Sequence, residues 1–235
     1  MIRRDEDNHV HSTFSDGKGT LAENISAAEA KGLRHLTCVD HVRADTDWLP
    51  DYFQAVADAR KDTHLQLEAG IEAKLMDTDG ILDLPAEADE ADRIMIADHQ
   101  LPSPDGPLHP DLIRSGLKDG SLDAQTVTSW LILATQNAVI RYPRTTVVHF
   151  ASILPKIGLG HQDLDREQLY ELAEVLVEHD AAIEISERWR CPGVSVLRIF
   201  RDAGATIVLG SDAHSPDKIG CFPHALAVAD ELEGR

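Results

Sequence analysis

Half of the chain's 12 histidines fall where an apolar run gives way to acid or polar residues. Asp7-Asn8 lead into His9-Val10-His11, Cys38-Val39 into Asp40-His41, and Gly70-Ile71 into Glu72. Ile96-Ala97 lead into Asp98-His99, Val147-Val148 into His149, and Leu209-Gly210 into Ser211-Asp212-Ala213-His214. Imidazole and carboxylate together suit zinc, iron or manganese. His9 and His11 are two apart, so on a strand both point to one side and can share a cation. Asp212 and His214 repeat that spacing. Asp16, in the loop from Ser12 to Gly17, can return to the same place, and Glu72 can bridge two cations with its two oxygens. This set exceeds the three or four protein ligands of a single catalytic zinc, so two or three divalent ions are implied. A lone histidine at a strand end is ordinarily structural. Six of them buried beside acids without metal would leave unpaired polar groups and crowded carboxylates.

Such scattered groups meet only if the strands that carry them share one rim. The sequence supports this. Thr20-Leu21-Ala22-Glu23 forms a capping box for a helix over Leu21–Lys31, and Gly32 sits at the position that favours glycine after a helix. Strands are expected over His35–Val39, Leu65–Ile71, Arg93–Ala97, Thr145–Val148, Ala182–Ile185 and Thr206–Leu209. Helices are expected from Pro50 to Lys61, from Ser121 to Ile140, and over Asp165–His179, Val194–Ala203 and Ala225–Glu233. Pro102–Gly120 contains four prolines and three glycines and reads as a long loop that shapes the pocket. About seven strand–helix units result. That pattern predicts an α/β fold, a parallel barrel whose active site lies at the carboxyl ends of the strands. The remaining histidines act as controls. His35 begins a strand and belongs to the opposite rim, and His179 ends a helix, where the dipole favours a cation. His64, His109, His161 and His224 fall in loops or element starts. Of these only His109 sits in a loop able to fold over the site.

Composition narrows the partners. The chain has 235 residues, 43% hydrophobic and 27% charged, enough to build a packed core in one domain covering 1–235. Asp and Glu number 41 against 22 Lys and Arg, a formal charge of -19. That field disfavours long nucleic acid and anionic membrane surfaces. No apolar run is long enough to span a bilayer, and the first residues lack an apolar signal core. Cys38, Cys191 and Cys221 are odd in number and far apart, which excludes a disulfide framework. A cytoplasmic protein is expected.

The ordered set His9-Val10-His11…Ser15-Asp16-Gly17, Asp40-His41, Gly70-Ile71-Glu72, His99, His149 and Ser211-Asp212-Ala213-His214 resembles the PHP (polymerase and histidinol phosphatase) family. H-x-H alone is a weak signal; the whole series, closing on Ser-Asp-Ala-His, is specific. The resemblance implies a distorted seven-stranded (β/α) barrel, TIM-like, and hydrolysis of phosphate esters by a cluster of two or three metal ions. It makes His9, His11, Asp16, His41, Glu72, His99, His149, Asp212 and His214 the metal ligands. Some family members place a histidine one residue after Asp16, where this chain has Gly17. Asp7 and Asp40 match acids flanking ligands, and we read them as orienting imidazoles. The chain is far shorter than the polymerase members, which points to the stand-alone phosphoesterases.

The chemistry that follows is metal-assisted attack of hydroxide on phosphorus, with zinc, manganese or iron as candidate ions. Bound cations would let a negative protein attract a phosphate. Phosphate capture calls for Arg or Lys near the rim, and Arg188, Arg43 and Lys74 are the candidates. Arg188 comes first, because it follows the strand that carries Glu184. Trp189 beside it could stack on a substrate ring. The leaving group needs a proton, for which Asp212, Asp98 or a metal-bound water is available. The leading expectation is a phosphomonoesterase acting on a small phosphorylated metabolite, with Asp212 and Arg188 at its catalytic centre. The alternative is a phosphodiesterase or exonuclease on short oligonucleotides or cyclic nucleotides. A metal-dependent amidohydrolase lacks its mid-chain lysine here, since Glu72 takes that position. A non-catalytic metal-binding module would be expected to have lost ligands.

Overall fold

The computed structural model describes residues 1–234. Its first strands are β1 (Glu6–Val10), β2 (His35–His41), β3 (Gln66–Lys74) and β4 (Arg93–Ala97). A short antiparallel hairpin follows, β5 (Leu101–Ser103) against β6 (Gly106–Leu108). Then come β7 (Thr145–Val147), β8 (Ala182–Ser186) and β9 (Thr206–Gly210). Among the described residues, one seven-stranded sheet runs in the order β1-β2-β3-β4-β7-β8-β9, all neighbours parallel. Its two edges approach each other just past β1 and β9. Val10 bridges Ala213 in parallel, and the His11 N–H donates to the Ala213 carbonyl at 2.9 Å. Closure by a bridge rather than a full ladder gives the distorted, TIM-like (β/α) barrel that the sequence predicted.

Helices α1 (Leu21–Ala30), α2 (Leu49–Ala59), α3 (Pro110–Asp119), α4 (Ala124–Arg141), α5 (Arg166–Glu178), α6 (Val194–Ala203) and α7 (Pro223–Glu233) accompany the sheet. The capping box is present: Thr20 accepts from the Glu23 N–H, and Glu23 accepts from the Thr20 N–H. Such a cap stabilises a helix by about 1 kcal/mol. Asp165 caps α5 by accepting the Gln168 N–H, and His179 closes it. The helix after residue 120 starts later than expected, because Asp123 rather than Ser121 is its cap and accepts the Thr126 N–H. Among the described residues, no helix is long and apolar enough to cross a membrane.

Pro102–Gly120 is not a loop. It holds most of the β5–β6 hairpin and all of α3. Several of its prolines and glycines mark turns and element ends instead of continuous loop. Pro110 begins α3, where a missing N–H costs nothing, and Gly120 ends it in the left-handed conformation at φ +80°. Pro102 and Pro107 pair across the hairpin, and Gly106 turns it at φ +112°.

Alternation along the strands sorts the barrel interior into three levels. Glu6, His35, Gln66, Glu68 and Arg93 line a polar cavity of about 250 Å³ toward the amino ends. Val39, Met95, Ala97 and Val148 form a separate apolar plug above it. His41, Glu72 and His99 lie one alternation further on, toward the carboxyl ends. The opposite faces, including Leu36, Ile71, Ile94, Ile183 and Leu209, belong to the main core shared with the helices. β1 departs from strict alternation. Its register shifts between Asp7 and Val10, so His9 and His11 face inward although Asn8 also lines the lower cavity. Bulges of this kind re-aim side chains beside active sites.

Candidate metal centre

Glu72 is the hub. Its Oε1 lies 3.0 Å from His99 Nε2 and 2.9 Å from His149 Nε2. Its Oε2 lies 2.9 Å from His41 Nδ1, 3.4 Å from His11 Nε2 and 3.5 Å from His9 Nε2. Imidazoles from β1, β2, β4 and β7 thus meet one carboxylate from β3. On the far side, Asp212 Oδ1 lies 3.3 Å from His11 Nε2 and 3.2 Å from His214 Nδ1. Asp16 Oδ1 is 3.2 Å from His214 Nε2 and 3.6 Å from His41 Nε2. All nine residues that the family resemblance singled out therefore come together.

The donor spacing fits metal ions. A tetrahedral ion with bonds of about 2.0–2.1 Å separates its ligands by roughly 3.3 Å. His9 Nε2 and His11 Nε2 face each other at 3.0 Å. Three groups each bring at least three donor atoms within 4.8 Å of one another: His9/His11/Asp212, His41/Glu72/His99 and His11/Asp16/His41/His214. His11 Nδ1 and Glu72 Oε2 are buried without a hydrogen-bond partner. Buried polar atoms rarely lack partners, and these two point at the cluster's own donors. Burial, reinforced by His9 and His41, lowers the His11 pKa to about 4 against the pull of Asp212 and Glu72. The neutral ring therefore keeps one nitrogen lone pair free at neutral pH, as ligation requires. Burial also works against ionised Glu72, yet the surrounding histidines hold its carboxyl well below the usual range.

Buried carboxylates orient the imidazoles. The His9 Nδ1–H donates to Glu184 Oε1 at 2.9 Å, while Glu184 Oε2 accepts the His149 backbone N–H at 2.7 Å. Asp98 lies 3.3 Å from His149 Nδ1 and accepts from Ser152 Oγ and the Ile153 N–H. Asp98 is thus committed to His149. Burial opposes the charged form of His149, but Asp98 and Glu72 raise its pKa to about 10. Asp7 and Asp40 do not orient imidazoles as expected. Asp7 accepts backbone N–H groups of His9, Ser211 and Gly220. Asp40 accepts from the N–H and hydroxyl groups of Ser12 and Ser15. Both hold backbone segments that carry ligands. The reason is alternation: Asp7 and Asp40 sit on the outer face of their strands, turned from the barrel interior.

Two glycines and two strained residues set the site's shape. A Cβ at Gly17 would lie 2.5 Å from the His11 carbonyl carbon, so no side chain fits there, and Asp16 alone reaches the cluster. A Cβ at Gly210 would lie within 2 Å of Glu184 Oε1. His149 and Asp212 adopt positive φ values of 32° and 50°. Such conformations cost of order 1–3 kcal/mol and persist where surrounding contacts enforce them.

The candidate phosphate groups divide between two flanks. Arg188 Nη1 donates to Asp212 Oδ1 at 3.3 Å and faces the His214 ring, with its side chain half exposed. Arg43 and Lys74 line a cavity of about 720 Å³ that ends on Asp16, His41, Glu72 and His99. Lys74 is partly neutralised by Asp83, 3.9 Å away. Pro102–Gly120 contributes no lining residue to this cavity. His109 is turned from the site as well; it caps α3 by accepting the Asp111 N–H. Trp189 does something the sequence did not signal: its indole N–H donates to Asp212 Oδ2 at 2.7 Å. Larger clefts of about 930 and 770 Å³ lie at the opposite rim, around His35 and Arg93, and no group of metal-binding side chains lies there among the described residues.

Fold and site together define a (β/α) barrel with a histidine–carboxylate cluster on its carboxyl rim. A PHP domain model matches residues 7–188, and the chain belongs to that family. The match stops short of Asp212 and His214, which the geometry adds to the cluster. A protein of Caldicellulosiruptor saccharolyticus named a probable phosphatase is 26% identical over 253 residues, covering 96% of this chain and 91% of that one. A probable phosphatase of Vibrio campbellii is 25% identical over 256 residues, covering 97% and 83%. The crystal structure of histidinol phosphate phosphatase from Lactococcus lactis, complexed with zinc, L-histidinol and phosphate, superposes with a TM-score of 0.67. It is 18% identical and covers 99% of this chain and 94% of that one, which establishes a shared fold.

Proposed function

We propose that this chain is a metal-dependent phosphatase acting on a small phosphate monoester, with residues 1–235 as one PHP-type barrel domain. The observation that carries the reading is Glu72, whose two oxygens gather imidazoles from four strands. The names of the relatives support the reaction class.

His9, His11, Asp16, His41, Glu72, His99, His149, Asp212 and His214 would hold two or three divalent ions such as zinc, manganese or iron. Bound there, the ions supply Lewis acidity that neutralises phosphoryl charge and makes water acidic enough to react at neutral pH. The protein's own groups prepare that chemistry. Glu184 and Asp98 fix the rings of His9 and His149. Arg188, free on its outer side, binds a phosphoryl oxygen at the Asp212–His214 edge. Arg43 and Lys74 favour a negatively charged or strongly polar substrate in the adjoining cavity. Asp212 is a ligand rather than an acid. Its burial is outweighed by His11 and His214, which keep its carboxyl ionised. With Asp98 committed to His149, neither carboxylate is a proton source for the leaving group.

The test is a comparison of p-nitrophenyl phosphate with bis-p-nitrophenyl phosphate, with manganese and zinc supplied separately. Monoester turnover that chelation abolishes is expected. Turnover of the diester alone would replace this reading with a phosphodiesterase, and activity insensitive to chelation would remove the metal from the mechanism.

A further inference from the structure

The loop after β8 meets the cluster chiefly at Asp212, with Arg188 also against the His214 ring. Three sets of contacts fix it. The Ser186 N–H donates to the Cys191 carbonyl and the Arg190 N–H to the Ser186 carbonyl, which closes a tight turn over residues 187–190. Glu187 leaves the turn on the outer side, where its carboxylate accepts the His224 and Ala225 N–H groups at the start of α7. Arg188 and Trp189 leave it on the inner side and both donate to Asp212, one to each oxygen.

We propose that Trp189 is a positioning residue for Asp212: its indole N–H occupies Oδ2 and thereby aims Oδ1 at the metal cluster. The two oxygens have separate partners. Oδ1 faces His11, His214 and Arg188, whereas Oδ2 accepts the indole N–H at 2.7 Å. A carboxylate held by one oxygen binds a cation through the other, with a fixed direction. An indole suits this task because it only donates and carries no charge to repel a cation. It complements the devices on the imidazole ligands, where Glu184 and Asp98 accept from ring nitrogens. The ring is itself held. Lys156 Nζ lies 4.3 Å from its centroid, the Arg188 guanidinium 5.9 Å away, and the His149 ring 5.8 Å away. Those contacts explain why a tryptophan that is 37% exposed stays over the site. Asp212 has a positive φ of 50°, and the indole N–H holds its carboxylate from the side of this turn.

This inference rests on the reading that the cluster binds divalent metal, and one experiment separates the two. The chain has three tryptophans, so ¹⁵N-labelled metal-free protein gives three indole N–H resonances. Zinc titration should move the Trp189 resonance more than those of Trp48 and Trp130. Trp189→Phe keeps the ring and removes the N–H. It should weaken zinc binding by about 10- to 100-fold, measured by competition with a chromophoric chelator, as loss of ligand-orienting partners commonly does. An unmoved Trp189 resonance in protein that takes up zinc would overturn the inference and leave the metal reading intact. So would wild-type zinc affinity in the folded Trp189→Phe chain. Wild-type protein that takes up no zinc would overturn both. If Trp189→Phe does not fold, Trp48→Phe and Trp130→Phe assign the spectrum, and the wild-type titration decides.

Discussion

Glu184 accepts the Nδ1–H of His9 at 2.9 Å, across 175 residues of chain. In the neutral ring, the form that binds a cation, this bond keeps the proton on Nδ1 and turns Nε2 of His9 toward His11 and Glu72. It exists only because Gly210 on the neighbouring strand has no Cβ. Burial opposes a charge on His9, and Glu184 reverses that and raises the ring's pKa well above its ordinary value. Glu184→Gln must give up a bond, because an amide presents one acceptor where His9 and the His149 N–H need two. Its zinc affinity should fall by about 10- to 100-fold, measured by chelator competition. Gly210→Ala should act in the same direction by displacing Glu184. Wild-type affinity in a folded Glu184→Gln protein would show that His9 needs no such orientation.

Removing a ligand should cost more than removing the group that orients it. His9→Ala leaves the His9/His11/Asp212 donor group incomplete and removes one imidazole from beside Glu72. Loss of several kcal/mol of charge stabilisation corresponds to a fall of at least about 100-fold in turnover. Circular dichroism should still report a folded barrel, since the main apolar core lies between the strands and the helices. Normal turnover by His9→Ala in metal-free buffer would end the metal mechanism.

The residues that meet at the cluster are legible in the sequence because a strand end leaves a local trace: an apolar run, then His, Asp or Glu. Their partners are less so. Asp98 looked like a free acid beside His99, and only the fold brings it to His149, 51 residues on. Trp189 carried no mark of its bond to Asp212, since an indole beside an arginine reads equally as packing. Asp40 does not reach an imidazole because it is adjacent to His41 and so faces the other side of β2, and Asp7 does not because the register shift in β1 turns His9 inward away from it. The same limit applies to Pro102–Gly120. Proline and glycine content suggests a loop, whereas Pro110 opens α3 and Gly120 caps its end. Lys74 lines the cavity beside Glu72, and its neighbour Asp83 arrives through a turn that periodicity does not describe.

Arg188 should report on substrate rather than on metal. Its guanidinium is half exposed, so screening by water reduces what it contributes. A charge-assisted bond to phosphate at such a position is worth about 1.5 kcal/mol, the low end of the range for charged groups. Arg188→Ala should therefore raise KM for a phosphate monoester by about 10-fold, with kcat less affected and zinc affinity close to that of the wild type. Steady-state kinetics at saturating metal would measure this. An unchanged KM would remove Arg188 from the phosphate site.

The three cysteines should separate by burial. Cys38 is fully enclosed in the core, and burial, aided by Asp40, pushes its thiol up to about 12. Cys191 is raised well above its ordinary value for the same first reason, burial, with Asp98 and Glu184 adding to it. Neither forms the reactive thiolate at neutral pH. Cys221 is half-buried near the surface, with Lys31 Nζ 3.3 Å from its sulfur. A disulfide reagent such as 5,5′-dithiobis(2-nitrobenzoate) should therefore titrate one of the three thiols rapidly in the native chain, and the other two only on denaturation. Cys221→Ser should abolish the fast phase. A fast phase that survived this substitution would mean that Cys38 or Cys191 is reached from solvent, and that the core around β2 or the turn after β8 opens in the native state.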